Sequence, residues 1–176
     1  PFHHEATLHG SLEGFLEQVA RRGSWVGGGS VAAFSAALAA ALLQKLTVQP
    51  ATVTRLRRIR REAVALIQRD AEAFAQVIHA TRRQERAAFR RTLKAATDVQ
   101  WKVFDRAQRL EAVCQAAQQA VKPRFQSDLR CAMALAMASS ESARTLILTN
   151  LAWLDDPQYS KRMRHRLQTS ARRRRR

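Results

Sequence analysis

From Thr54 to Arg83, and again from Gln84 to Val121, apolar residues return at alternating steps of three and four, and a chain spaced in this way has little choice but to form long helices. Leu56, Ile59, Ala63, Leu66, Ala73 and Val77 make one stripe, over a helix expected from about Thr54 to Arg83. Phe89, Leu93, Ala96, Gln100, Val103, Ala107, Leu110, Cys114, Ala117 and Val121 make a second. It predicts one helix over Gln84 to Val121, or two joined near Gln100. Only six glycines and four prolines interrupt 176 residues, and alanine is abundant. The expected fold is all-α, a bundle of about five to six helices.

The rest of the chain supplies the other helices. Residues 11–21, "SLEGFLEQVAR", put Leu12, Phe15, Leu16 and Val19 on one face, with Ser11 as candidate N-cap. Val31 to Thr47 is apolar nearly all round, which suits the middle of a bundle, and Pro50 is expected to close it. "KPRFQSD" breaks the long stripe. A helix from about Ser127 to Trp153 follows, capped by Ser127 or Asp128, and Asp156 and Pro157 suit the N-cap and first turn of a basic helix around Tyr159 to Leu167.

The formal net charge is +17, and nine basic groups with no acid fall in residues 161–176, so the first 160 residues still carry +8. The expected organisation is a single helical domain over 1–160 and a basic C-terminal tail over 161–176. Such charge favours a polyanionic partner. Cys114 and Cys131 read as small core residues in a reducing compartment. The start "PFHHEATLHG" has no signal-peptide pattern, and the apolar run Val31 to Leu43 is short for a membrane span. A soluble, cytoplasmic protein is expected.

Three places could carry chemistry. Asp70 stands in the apolar stripe, seven residues from both Ala63 and Val77, where an ionised carboxylate is costly unless it is paired. Either it is held structurally, by an arginine or as the cap of a neighbouring helix, or it lines a partly dry cavity and exchanges protons with a substrate. The second place is "GGGS", Gly27, Gly28, Gly29 and Ser30. It lacks the Gly-Lys-Ser/Thr of a phosphate loop, and no strand precedes it as a dinucleotide fingerprint requires. Its glycines serve close helix packing, or they expose N–H groups to an anionic or carbonyl group. The third is the group Lys122, Arg124, Ser127 and Asp128, a helix cap with two solvated cations or a binding loop. His3, His4, His9, His79 and His165 show no metal-ligand spacing, although His79 could flank the same cavity as Asp70.

In order and spacing, "SLEGFLEQVA", "GGGSVAAFSAALAAALLQKLT", "RDAEAFAQVIHA", "SDLRCAMALA" and "SARTLILTNL" resemble the cyclodeaminase/cyclohydrolase family. That family comprises the C-terminal domain of formiminotransferase-cyclodeaminase and stand-alone methenyltetrahydrofolate cyclohydrolase-like proteins, and the resemblance covers residues 11–153. It implies a helical bundle that forms a homodimer and acts on tetrahydrofolate one-carbon units. The reaction would be cyclodeamination of the 5-formimino form or interconversion of the methenyl and 10-formyl forms. It implies no metal and no cofactor beyond the folate substrate. Asp70 would be the general acid/base and Asp128 a second catalytic group. Gly27, Gly28, Gly29, Ser30 and Ser127 would hold substrate, and Lys122 and Arg124 its anionic, possibly polyglutamylated, tail. The charge also supports a second reading, a non-catalytic helical homologue whose basic surface and Arg-rich tail bind nucleic acid or an acidic protein.

Overall fold

The computed structural model describes residues 12–174, so Ser11, His3, His4, His9 and the last two arginines lie outside the described residues. Among the described residues six helices follow one another: α1 (Leu12–Ala20), α2 (Gly28–Leu46), α3 (Pro50–Arg82), α4 (Arg86–Ala117), α5 (Gln126–Trp153) and α6 (Pro157–Arg174). A single 3-10 turn, Pro123–Phe125, precedes α5, and no strand occurs among the described residues. The all-α expectation is met.

Helices α2 to α5 form a ring in which each packs on two neighbours, with α2 also touching α4 across the middle. Small inward residues make that closeness possible. Ala32, Ala33, Ala36, Ala37, Ala39 and Ala40 are buried along α2, so its backbone approaches three partners at once. The stripes read from the sequence face inward as expected: Leu56, Ile59, Ala63 and Leu66 on α3, and Leu93, Val103, Ala107, Leu110 and Cys114 on α4. Fully burying a side chain such as Leu56 or Ile147 contributes about 1.5–3 kcal/mol. By length and composition α2 could cross a membrane, but half of it is covered by the other helices.

Several boundaries differ from the expectation for identifiable reasons. Pro50 opens α3 instead of closing α2, which already ends at Leu46; proline is favourable in a first turn, where its missing N–H has no helical partner. Helix α4 is continuous through Gln100. Neither Ser127 nor Asp128 caps α5: the 3-10 turn begun by Pro123 brings the helix start forward to Gln126, and both residues fall inside it. Asp156 does cap α6, its Oδ1 accepting the Tyr159 N–H at 3.0 Å. The basic helix expected around Tyr159 to Leu167 runs on to Arg174, and Met163 and Leu167 give it an apolar edge that is buried over α4. Cys114 is a core residue, whereas Cys131 is exposed because its neighbour Ala132 takes the inward position on α5.

Candidate functional site

The segment before α2 is anchored by aromatic contacts. Trp25 lies against Phe74 and His79 of α3, with ring centroids 6.5 and 5.9 Å away. Val26 is buried, and its N–H bonds the Ser24 hydroxyl at 3.1 Å. The chain then enters α2 at Gly28 with Gly27 in the N-cap position and no side chain capping from that residue. The first N–H groups of a helix have no internal acceptor, and the dipole makes this end attractive to anions.

Asp70 fills that role from the neighbouring helix. The Ser30 hydroxyl lies 2.9 Å from its Oδ2, the Gln100 Nε2 amide donates to its Oδ1 at 2.6 Å, and the Ser30 backbone N–H also bonds it. The capping alternative raised by the sequence is therefore real, and it coexists with a chemical one. Burial raises the Asp70 pKa above the ordinary carboxylate value, and the Ser30 and Gln100 donors only partly oppose the shift. Both neighbours can serve either protonation state. The Ser30 hydroxyl has a second acceptor, the Ile67 carbonyl oxygen at 3.2 Å, so it can turn away and accept from a protonated Asp70. Gln100 is 2% exposed and its Oε1 has no hydrogen-bond partner among the described residues; reversing the amide would offer that oxygen to a carboxylic acid.

The three glycines divide by purpose. A Cβ at Gly29 would sit 2.6 Å from Asp70 Cγ and closer still to Asp70 Oδ1 and Gln100 Nε2, so only glycine allows the carboxylate to dock. A Cβ at Gly27 or Gly28 would meet nothing within 4 Å. Close packing therefore explains Gly29, whereas Gly27 and Gly28 leave open backbone beside a half-buried carboxylate.

The third group lies elsewhere. Asp128 pairs with Lys45 Nζ at 2.8 Å in the last turn of α2. Ser30 is in the first turn, fifteen residues away, roughly 22 Å at 1.5 Å per residue. Within one chain Asp128 is thus apart from Asp70, and so are exposed Ser127, Lys122 and Arg124, the last of which lies over the Phe125 ring. His79 is exposed and engaged by Trp25. No cluster of three metal-ligating side chains occurs among the described residues. Gln100 is the member of the site that the sequence did not single out. Its signal was the same as that of Asp70, a polar residue in an apolar stripe.

A ring of helices with a carboxylate of one docked at the glycine-rich N-terminus of the next defines a class, the all-α bundles with a half-buried acid at a helix start. The chain belongs to the Formiminotransferase-cyclodeaminase family, whose profile matches residues 11–169. Among solved structures it is similar to the crystal structure of formiminotetrahydrofolate cyclodeaminase from Thermotoga maritima. That match has a TM-score of 0.87 and 23% identity, and covers 94% of this chain and 90% of that one. None of the curated proteins matches it.

Proposed function

We infer that the protein is a folate one-carbon enzyme that closes 5-formiminotetrahydrofolate to 5,10-methenyltetrahydrofolate with release of ammonia. The observation that carries this reading is the start of α2: Asp70, raised in proton affinity and supported in both protonation states, beside the open backbone of Gly27 and Gly28. Family membership and a structural neighbour named for this substrate support it.

The chemistry requires one proton to be moved. A formimino group is protonated at neutral pH, so N10 of the folate attacks a cationic carbon and forms a tetrahedral centre bearing N5, N10 and an amino group. N10 then holds a surplus proton. Asp70, as the carboxylate, takes it and delivers it to the amino group, which leaves as ammonia while the C–N10 bond gains double-bond character. One positive charge enters on the formimino group and one leaves on the methenyl bridge, and Asp70 ends as it began. A carboxyl group whose acid and base forms are both accommodated is suited to such a shuttle. Because Asp128 lies at the far end of α2, the proposal gives the proton transfer to Asp70 alone. The same reading takes the chain as one half of a homodimer.

The test is the absorbance of 5,10-methenyltetrahydrofolate followed with time, starting from the 5-formimino substrate and, in a second arm, from the methenyl form with water as reactant. Turnover on the first substrate is expected, with Asp70→Asn reducing it by about 10²- to 10⁴-fold. Full turnover by Asp70→Asn would remove the assigned role. Turnover in the second arm alone would make the reaction a cyclohydrolase one. Absence of both turnover and folate binding would overturn the reading.

A further inference from the structure

Away from Asp70, a cleft of about 680 Å³ runs along the start of α4 to the end of α5. Arg86, Arg90, Arg91 and Lys94 line it, together with Trp153 and one acid, Asp155. The surrounding segment, residues 82–94, contains six cations and one acid, Glu85. This is an unfavourable place for cations, because the N-terminal end of a helix dipole is already positive and no acid occupies the first turn of α4. Little inside the protein relieves it. Arg86, Arg90 and Arg91 form no direct ion pair among the described residues; Lys94 pairs with Asp156 at 2.5 Å, and the same carboxylate attracts Arg90 at longer range. Trp153 is 70% exposed, the most exposed large ring in the described chain.

The pattern continues onto α6. Lys94 lies over the Tyr159 ring, 5.4 Å from its centroid, and Arg166 lies over Trp101 at 4.1 Å. Cations and aromatic rings therefore also meet on the α4–α6 surface. An acidic peptide would satisfy the charges and leave the indole of Trp153 unused. A single nucleic-acid strand satisfies both, since it carries one phosphate per nucleotide and each base presents a flat face that a duplex hides. From Arg86 to Lys94 the cleft extends eight residues of helix, roughly 12 Å, a length covered by a few nucleotides.

We propose that the cleft between the start of α4 and Trp153 is a binding site for single-stranded nucleic acid, with Arg86, Arg90 and Arg91 on phosphates and Trp153 stacked on a base. The site is separate from Asp70 and does not depend on the folate reading.

The experiment is fluorescence anisotropy of short labelled single strands, RNA and DNA, with the full chain at several salt concentrations. A duplex of the same sequence and a polyglutamate peptide serve as competitors. Neutralising three to four phosphates gives a log–log salt slope of about −2 to −3, and Arg86→Gln, Arg90→Gln and Arg91→Gln together reduce it by about 2. Trp153→Ala weakens binding about tenfold and Trp153→Phe restores most of it. A chain with Arg172 to Arg176 changed to Gln keeps the Trp153-dependent part. Circular dichroism confirms that each surface variant is folded. The proposal is overturned if no strand binds at 0.1 M salt, if Trp153→Ala binds as tightly as the parent, or if binding depends only on the terminal arginines. Stronger competition by polyglutamate or duplex than by a single strand also overturns it.

Discussion

The Ser30 hydroxyl and the Gln100 amide oppose the effect of burial on Asp70, so each holds its pKa lower than burial alone would set it. Removing one donor must therefore raise it further. In the proposed reaction Asp70 starts as a carboxylate, and the acidic limb of the profile is where turnover rises as it loses its proton. Ser30→Ala is expected to move that limb to higher pH, and Asp70→Asn to abolish it, as measured by kcat/KM across pH. A limb that stays in place in Ser30→Ala would show that another group titrates. Asp70 was legible in the sequence because a carboxylate that interrupts an apolar stripe needs a reason. Gln100 interrupted the next stripe in the same way, but its meaning was hidden: which turn of α4 faces which turn of α3 is a tertiary fact, and no local pattern carries it. Asp128 illustrates the same limit, since periodicity placed it at a helix start without telling at which end of the bundle that start would lie.

Among the elements, the junction of α3 and α4 was legible without any of the usual breakers, for "TRRQER" contains neither glycine nor proline. Two stripes that ended and began afresh located it. What the sequence did not show is how the turn is made. The Glu85 N–H bonds the Ala80 carbonyl and the Gln84 N–H bonds the Thr81 carbonyl, which closes α3 with a Schellman motif. Gln84 occupies its left-handed position with φ of 56°. A side chain there costs roughly 1–2 kcal/mol, which glycine avoids. Part of that gain is lost to the greater freedom of glycine in the unfolded chain. Gln84→Gly should therefore stabilise the protein by about 1 kcal/mol, a rise of about 2–4 °C in Tm for a chain of this size. Thermal unfolding followed by circular dichroism measures it, and an unchanged or lowered Tm would show that the turn is not strained. The basic helix after Pro157 was legible as far as Leu167; its continuation to Arg174 was not, because "QTSARRR" after Leu167 carries no apolar stripe to mark it.

At the scale of the whole molecule, two features oppose each other. One edge leaves apolar surface uncovered: α1 buries none of its residues, with Leu12 62% and Leu16 49% exposed, and on α2 Val31 and Leu38, seven residues apart, are 37% and 40% exposed. Phe15 of α1 sits on Phe34 between those two, with ring centroids 5.1 Å apart, so the two helices present one continuous apolar edge. A second copy of the chain is the occupant that would cover it, in keeping with the proposed homodimer. Against that stands a net charge of +17 on each copy, which repels like chains most strongly when little salt is present. Self-association should therefore strengthen as salt rises, the reverse of the salt dependence expected for a nucleic-acid strand in the α4 cleft. Sedimentation equilibrium between 0.05 and 0.5 M salt tests this, taking these as roughly the limits over which the Debye length falls from above 10 Å to a few ångströms. Twice the chain mass is expected, with a dimer constant that tightens across the series, and Leu38→Glu should return the protein to the chain mass while its helical signal is kept. A dimer that is unaffected by Leu38→Glu would place the contact on another face, and a dimer that loosens with salt would mean that ion pairs, not this apolar edge, hold the copies together.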